Sequence, residues 1–174
     1  SRGSVMAASV KAVKRGASGA PGELRGDFDL PRDLGLLPAN TECGIFGVLP
    51  QENRPEAVGE AIPGARRTEV HTVKAVILAN CRGDEVCAYE IEIEKLYGGS
   101  APTRNLLLRV TDPALIALTG GIVQGMSGSP IVQDGKLVGA VTHVLLDDPQ
   151  RGYGILAENM LSASGMTAQS AASA

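Results

Sequence analysis

Tryptophan is absent, and aromatic residues make up only 3% of the 174 positions. Any core must therefore be aliphatic, assembled from Val, Ile, Leu and Ala. Histidine is nearly missing too, with only His71 and His143. There is no paired Cys-x-x-Cys, so a zinc centre of the usual ligand spacing is excluded, and no metal or cofactor is expected. The net charge is −3, without a basic run. That argues against nucleic acid or an anionic membrane surface as partner. No apolar run approaches the roughly 20 residues that a membrane-spanning helix needs. The opening Ser1-Arg2-Gly3-Ser4-Val5-Met6 lacks the charged and apolar regions of a secretion signal. A piece trimmed from a longer exported protein would read the same way.

Turn formers are plentiful. With 22 Gly and 10 Pro among 44% hydrophobic residues, many short strands are favoured over long helices. The length suits one domain, or two small β-barrels sharing an interface. Three cysteines leave two readings. Cys81 and Cys87 flank the turn-like Arg82-Gly83-Asp84-Glu85-Val86 and could close a local disulfide, leaving Cys43 free. The plainer reading is three reduced, partly buried thiols.

Residues 5–14 alternate loosely and read as a strand. Residues 15–26 read as a turn-laden loop, and residues 28–40 as irregular, with Pro31 and Pro38 as breakers. Residues 43–49 form a short buried strand, followed by a polar connection over 51–64. A hairpin follows, from strands at 68–79 and 86–96. In the second, Tyr89, Ile91 and Ile93 face one way and Glu90, Glu92 and Glu94 the other, the period of a half-exposed strand. The acidic face reads as solvated, and His71 as a half-buried structural residue. Gly98-Gly99-Ser100-Ala101-Pro102 is the best internal boundary. Residues 104–110 are a strand, and 114–119 a short helix with Asp112 or Thr111 as N-cap and Pro113 at its first position. Strands at 129–133 and 136–146 flank the hairpin signal Asp134-Gly135. A strand at 153–156 and a helix at 157–163 follow, then an Ala/Ser-rich tail over 164–174 that is expected to be disordered.

The chemistry concentrates in Gly125-Met126-Ser127-Gly128-Ser129-Pro130. A serine nucleophile needs its Oγ exposed on a tight turn, backbone N–H groups converging on the oxyanion, and nothing bulky beside the attacked carbonyl. Gly125, Gly128 and the short Ser129 meet the last demand. Gly125 lets the peptide turn so that its N–H joins that of Ser127 in an oxyanion hole. Ser127 is the candidate nucleophile and Ser129 its rival. An ordinary Gly-rich turn is the plain alternative, and Asp112 likewise can be a helix cap rather than a catalytic acid.

The continuation Ser129-Pro130-Ile131-Val132-Gln133-Asp134-Gly135-Lys136-Leu137-Val138-Gly139-Ala140-Val141-Thr142-His143 is similar to the trypsin-like pattern of nucleophile, apolar strand, hairpin and pocket strand. A closer resemblance runs in order from the start of the chain to about residue 161. Lys14-Arg15-Gly16 through Gly26, Cys43-Gly44-Ile45-Phe46-Gly47, Val110-Thr111-Asp112-Pro113, Gly120 through Pro130, Gly139 through Val144, and Asp148-Pro149 with Gly152-Tyr153-Gly154-Ile155 resemble the SpoIVB peptidase family of endospore formers.

That resemblance implies an all-β, trypsin-like double β-barrel serine endopeptidase, here with a first barrel that can be incomplete. The peptidase domain would cover 1–163, with barrels at roughly 1–98 and 103–163. It places the nucleophile on Ser127, the catalytic acid on Asp112, the oxyanion hole on Gly125 and Ser127, and the pocket wall on Val141, Thr142 and His143. The family's catalytic His lies in a Gly-His-Gly-like element expected upstream of residue 1. Nothing in this chain matches it, and the fragment is expected to be inactive without it. The resemblance also implies an upstream PDZ domain, a membrane anchor or signal, and a location between the two membranes of the developing spore. The implied substrates are proteins: the protease itself, and a membrane-bound regulatory subunit that restrains an intramembrane metalloprotease and so a late sigma factor. The competing reading is a non-catalytic, trypsin-like binding module.

Overall fold

The computed structural model describes residues 3–57, 59–98 and 101–165. Two long strands come first, β1 (Gly3–Lys14) and β2 (Glu23–Leu37), then the short pair β3 (Ala39–Thr41) and β4 (Gly44–Phe46). After a connection with two single 3₁₀ turns come β5 (Lys74–Arg82), β6 (Glu85–Leu96) and β7 (Leu106–Val110). Helix α1 (Pro113–Thr119) leads to β8 (Pro130–Gln133), β9 (Lys136–Val144), β10 (Arg151–Leu156) and helix α2 (Ala157–Ser164).

Strands β5 to β10 form a closed barrel in the order β10-β7-β6-β5-β8-β9. Alternation builds its interior. Ala75, Ile77, Ala79 and Cys81 of β5 point inward, as do Ile91 and Ile93 of β6 and Leu106, Leu108 and Val110 of β7. Leu115, Met126, Ile131 and Val138 complete a core without one buried aromatic ring. Closure pairs every barrel strand on both sides, which removes the exposed edges that invite aggregation.

The all-β architecture is as expected, but the division into barrels is not. β6 and β7 are antiparallel neighbours from Ile91↔Val110 to Leu96↔Leu106. The boundary expected at 98–102 is therefore only the β6–β7 connection inside one barrel. What precedes the barrel is two separate two-stranded sheets, β1–β2 and β3–β4. The supposedly irregular 28–40 segment is mostly β2. Pro31 is absorbed by bulging: the register jumps from Asp29↔Ala7 to Asp33↔Met6, so it owes no ladder hydrogen bond, whereas Pro38 does break the chain between β2 and β3.

Other local expectations shift. β5 starts at Lys74, because Arg67–Glu69 is a 3₁₀ turn and the bend after it is clamped by buried Gln133. Gln133 accepts from His71 N (2.9 Å) and donates to the carbonyls of His71 and Lys74 (3.1 Å each). His71 thus lies exposed just before the Thr72–Val73 bend, not half-buried in a strand. The acidic face of β6 is not merely solvated. Glu92 pairs with Arg109 (2.6 Å), and Glu94 is shared by Arg109 and Arg151 (2.9 Å each), tying β6, β7 and β10 together. All three thiols are free. Cys87 stands opposite Ala79, two residues out of register with Cys81. Of the tail expected from 164, residues 166–174 lie outside the described residues, and α2 itself runs to Ser164.

Candidate active site

Ser127 sits in a turn between Gly125 (φ 98°) and Gly128 (φ 90°), where the buried Met126 plugs into the core and leaves Ser127 exposed. The loop is held from behind by the glycine-rich 16–24 segment and by Pro149, which both bond to its approach at 119–124. Gly16 N donates to Thr119 O (2.8 Å), Gln124 N to Gly22 O (3.0 Å), Leu24 N to Gln124 O (2.8 Å), and Ile122 N to Pro149 O (2.7 Å). Side chains would not fit: a Cβ on Gly22 would lie 2.5 Å from Lys14 O, and one on Gly121 2.1 Å from Pro149 O.

Within the turn, the N–H groups of Met126, Gly128 and Ser129 are taken by Val123 O (3.1 Å), Val141 O (2.8 Å) and Met126 O (3.0 Å). Among the described residues, the amides of Gly125 and Ser127 have no acceptor. These are the two amides expected to receive an oxyanion. Buried donors without partners are rare, and exposed ones beside a nucleophile are what acyl-transfer chemistry uses.

Ser127 Oγ donates to Thr142 O (3.0 Å). It opens on a cavity of about 460 Å³ that also holds Val141, Thr142 and His143, the expected pocket wall. The structure adds what sequence reasoning missed: Cys43 and Ile45 from the β3–β4 hairpin, and Met160 from α2, form the facing wall. Residues 43–49 read as a short buried strand, but only Gly44–Phe46 is strand, Ile45 and Val48 are exposed, and nothing in the segment signalled that it faces the serine. Gly44 (φ 143°) is the nearest hint, since a Cβ there would lie 3.3 Å from Met160 Cε.

His143 is exposed and shares the cavity, yet among the described residues no imidazole accepts from Ser127. Ser129 is not among the residues lining that cavity; with Gly125 and Met126 it lines a second groove. Asp112 is not among the residues lining either space. Its carboxylate is the N-cap of α1, accepting from Ala114 N (2.8 Å) and Leu115 N (3.3 Å), and it also accepts from Glu90 N (3.0 Å). Burial pushes this carboxyl up, but the N–H groups of Glu90, Leu115 and Ala114 outweigh that and hold it below its ordinary value.

An exposed serine in a glycine turn, with two unclaimed amides and a side-chain pocket on an antiparallel barrel, is the equipment of a serine peptidase. The family model for SpoIVB peptidase S55 matches residues 1–161, and the chain belongs to that family of sporulation-type serine peptidases. No curated protein and no solved structure matches the chain.

Proposed function

We propose that Ser127 is the nucleophile of an endopeptidase, with the amides of Gly125 and Ser127 as its oxyanion hole. The carrying observation is the pattern of claimed and unclaimed N–H groups in the turn: three are consumed by the scaffold, and the two flanking Met126 are not. The Ser127 proton rests on the Thr142 carbonyl, a weak acceptor that cannot serve as a base. The general base is accordingly assigned to an upstream segment bearing histidine. We extend the reading to the family's setting: action between the membranes of the developing spore, a PDZ domain upstream, and cleavage both of the protease itself and of a membrane-bound regulator of an intramembrane metalloprotease.

A fluorophosphonate, which marks activated serines, tests this. The protein extended upstream through the histidine element should be labelled at Ser127, read by peptide mass mapping, and Ser127→Ala should abolish labelling. The present chain should label more slowly by orders of magnitude, up to about 10⁶-fold. Rapid labelling of the present chain would instead place the base within it, at His143. Failure of the extended protein to label would favour the non-catalytic binding module, a reading to which the cap role of Asp112 lends support.

A further inference from the structure

The loop carrying Ser127 separates two spaces. One is the cavity against β9 and the β3–β4 hairpin, which contains Ser127 and Gly128. The other, of about 450 Å³, contains Gly125, Met126 and Ser129 and lies under the β1–β2 ribbon. Ser127 lines the first space and Gly125 the second, so the turn whose two amides would hold the scissile carbonyl borders both. A carbonyl bound between them sends the polypeptide into both spaces, one on each side of the scissile bond.

The second groove is built for an apolar side chain. Leu24, Gly26 and Phe28 alternate on β2, so they share one face, joined by Ala8 and Val10 of β1. Gly26 presents bare backbone between Leu24 and Phe28, and a side chain is excluded there, since a Cβ would lie 2.5 Å from Ser9 O. Phe28 is 71% exposed, a large apolar surface that the fold itself does not bury. Ser9 and Ser129 also line the groove.

Resting on the assignment of Ser127, we propose that this groove is the leaving-group-side subsite, and that it takes an aliphatic or aromatic residue one or two positions after the scissile bond, packed over Gly26 against Phe28. The pocket wall formed by Val141, Thr142 and His143 then serves the acyl side. The enzyme would read both flanks of the bond it cuts, and Phe28 would be a specificity-determining residue with no part in the chemistry.

The test uses the chain with Ser127→Ala and two fluorescent peptides matched to the two product halves. One has a free amino terminus and Leu at its second position, and the other ends in Leu with a free carboxylate. Phe28→Ser, a surface change in an exposed strand, should weaken the first by about tenfold, roughly 1.4 kcal/mol, and leave the second within about twofold. Replacing Leu by Asp in the first peptide should abolish its binding. Equal effects on both peptides, an effect on the second alone, or no binding of the first at about 1 mM would each overturn the proposal. The two readings fail separately. A Phe28 effect confined to the first peptide, without phosphonate labelling of Ser127 in the extended protein, would keep the groove and remove the nucleophile.

Discussion

Asp112 has two roles open to it by sequence, since Thr-Asp-Pro before a helical turn suits a cap as well as a catalytic acid. Its oxygens are spent on three backbone N–H groups, two in α1 and one in β6. Removing that acceptor in Asp112→Ala should destabilise the protein by about 1–2 kcal/mol, whereas Asp112→Asn, still a good cap, should lose less than about half of that. Urea denaturation reads both. The sign of the pH effect follows from the lowered carboxyl. Its contribution is full above the ordinary carboxylate value of about 3.8 and fades as pH falls through the lower folded value, so the acid limb of the stability profile should flatten in Asp112→Asn. A variant Asp112→Asn with native stability but no labelling of Ser127 in the extended protein would return the carboxylate to the chemistry. Ser127 itself was legible because its requirements are local. The surroundings of Asp112 were not, because they depend on where β6 lies.

Among the elements, β6 declared itself through strict alternation, since one face meets the core and the other meets water and arginines. β2 did not. It is an exposed ribbon strand with bulges, so no buried face imposed a period and its Gly and Pro looked like breakers. The glycine-bearing segments at 16–22 and 119–125 and the Asp148-Pro149 turn read as loops, and their purpose emerges only where they touch. Gly121 takes φ 137° with Pro149 O where a Cβ would go, while Gly128 takes φ 90° with nothing within 4 Å of that position. Gly121→Ala should therefore displace the Ile122–Pro149 hydrogen bond and cost upwards of about 2 kcal/mol, against roughly 1 kcal/mol of backbone strain for Gly128→Ala. Thermal melts rank the two variants. Equal losses would mean that Pro149 yields and that the loop is not braced there.

At the scale of the molecule, the all-β fold, expected as a double barrel whose first barrel can be incomplete, has one closed barrel preceded by an open ribbon, and the two differ in what holds them. The barrel is cemented by residues of almost no exposure, among them Ile77, Ile93, Leu106, Leu108 and Ile131. β1 contributes no buried residue, and β2 only Leu37 at its end. The ribbon is tied down through its middle and tip, by Val10 with Gly83 (3.0 and 2.9 Å), Gly19 with Leu146 (2.9 Å), and the Gly22–Gln124–Leu24 stitch beside the serine loop. Local opening is governed by how much apolar surface and how many hydrogen bonds a segment must give up. Hydrogen exchange should accordingly fall into three tiers. Amides of β5 to β10 should exchange slowest, through global unfolding. Those at 10–24 should be intermediate, because opening there frees only the stitches. Those at 4–8 and 28–36 should exchange fastest. An apolar peptide seated over Gly26 should slow the 26–28 amides and leave the barrel tier unchanged. Uniform protection across ribbon and barrel would show instead that the two unfold as one unit, and that the serine loop is braced by the ribbon as strongly as by the core.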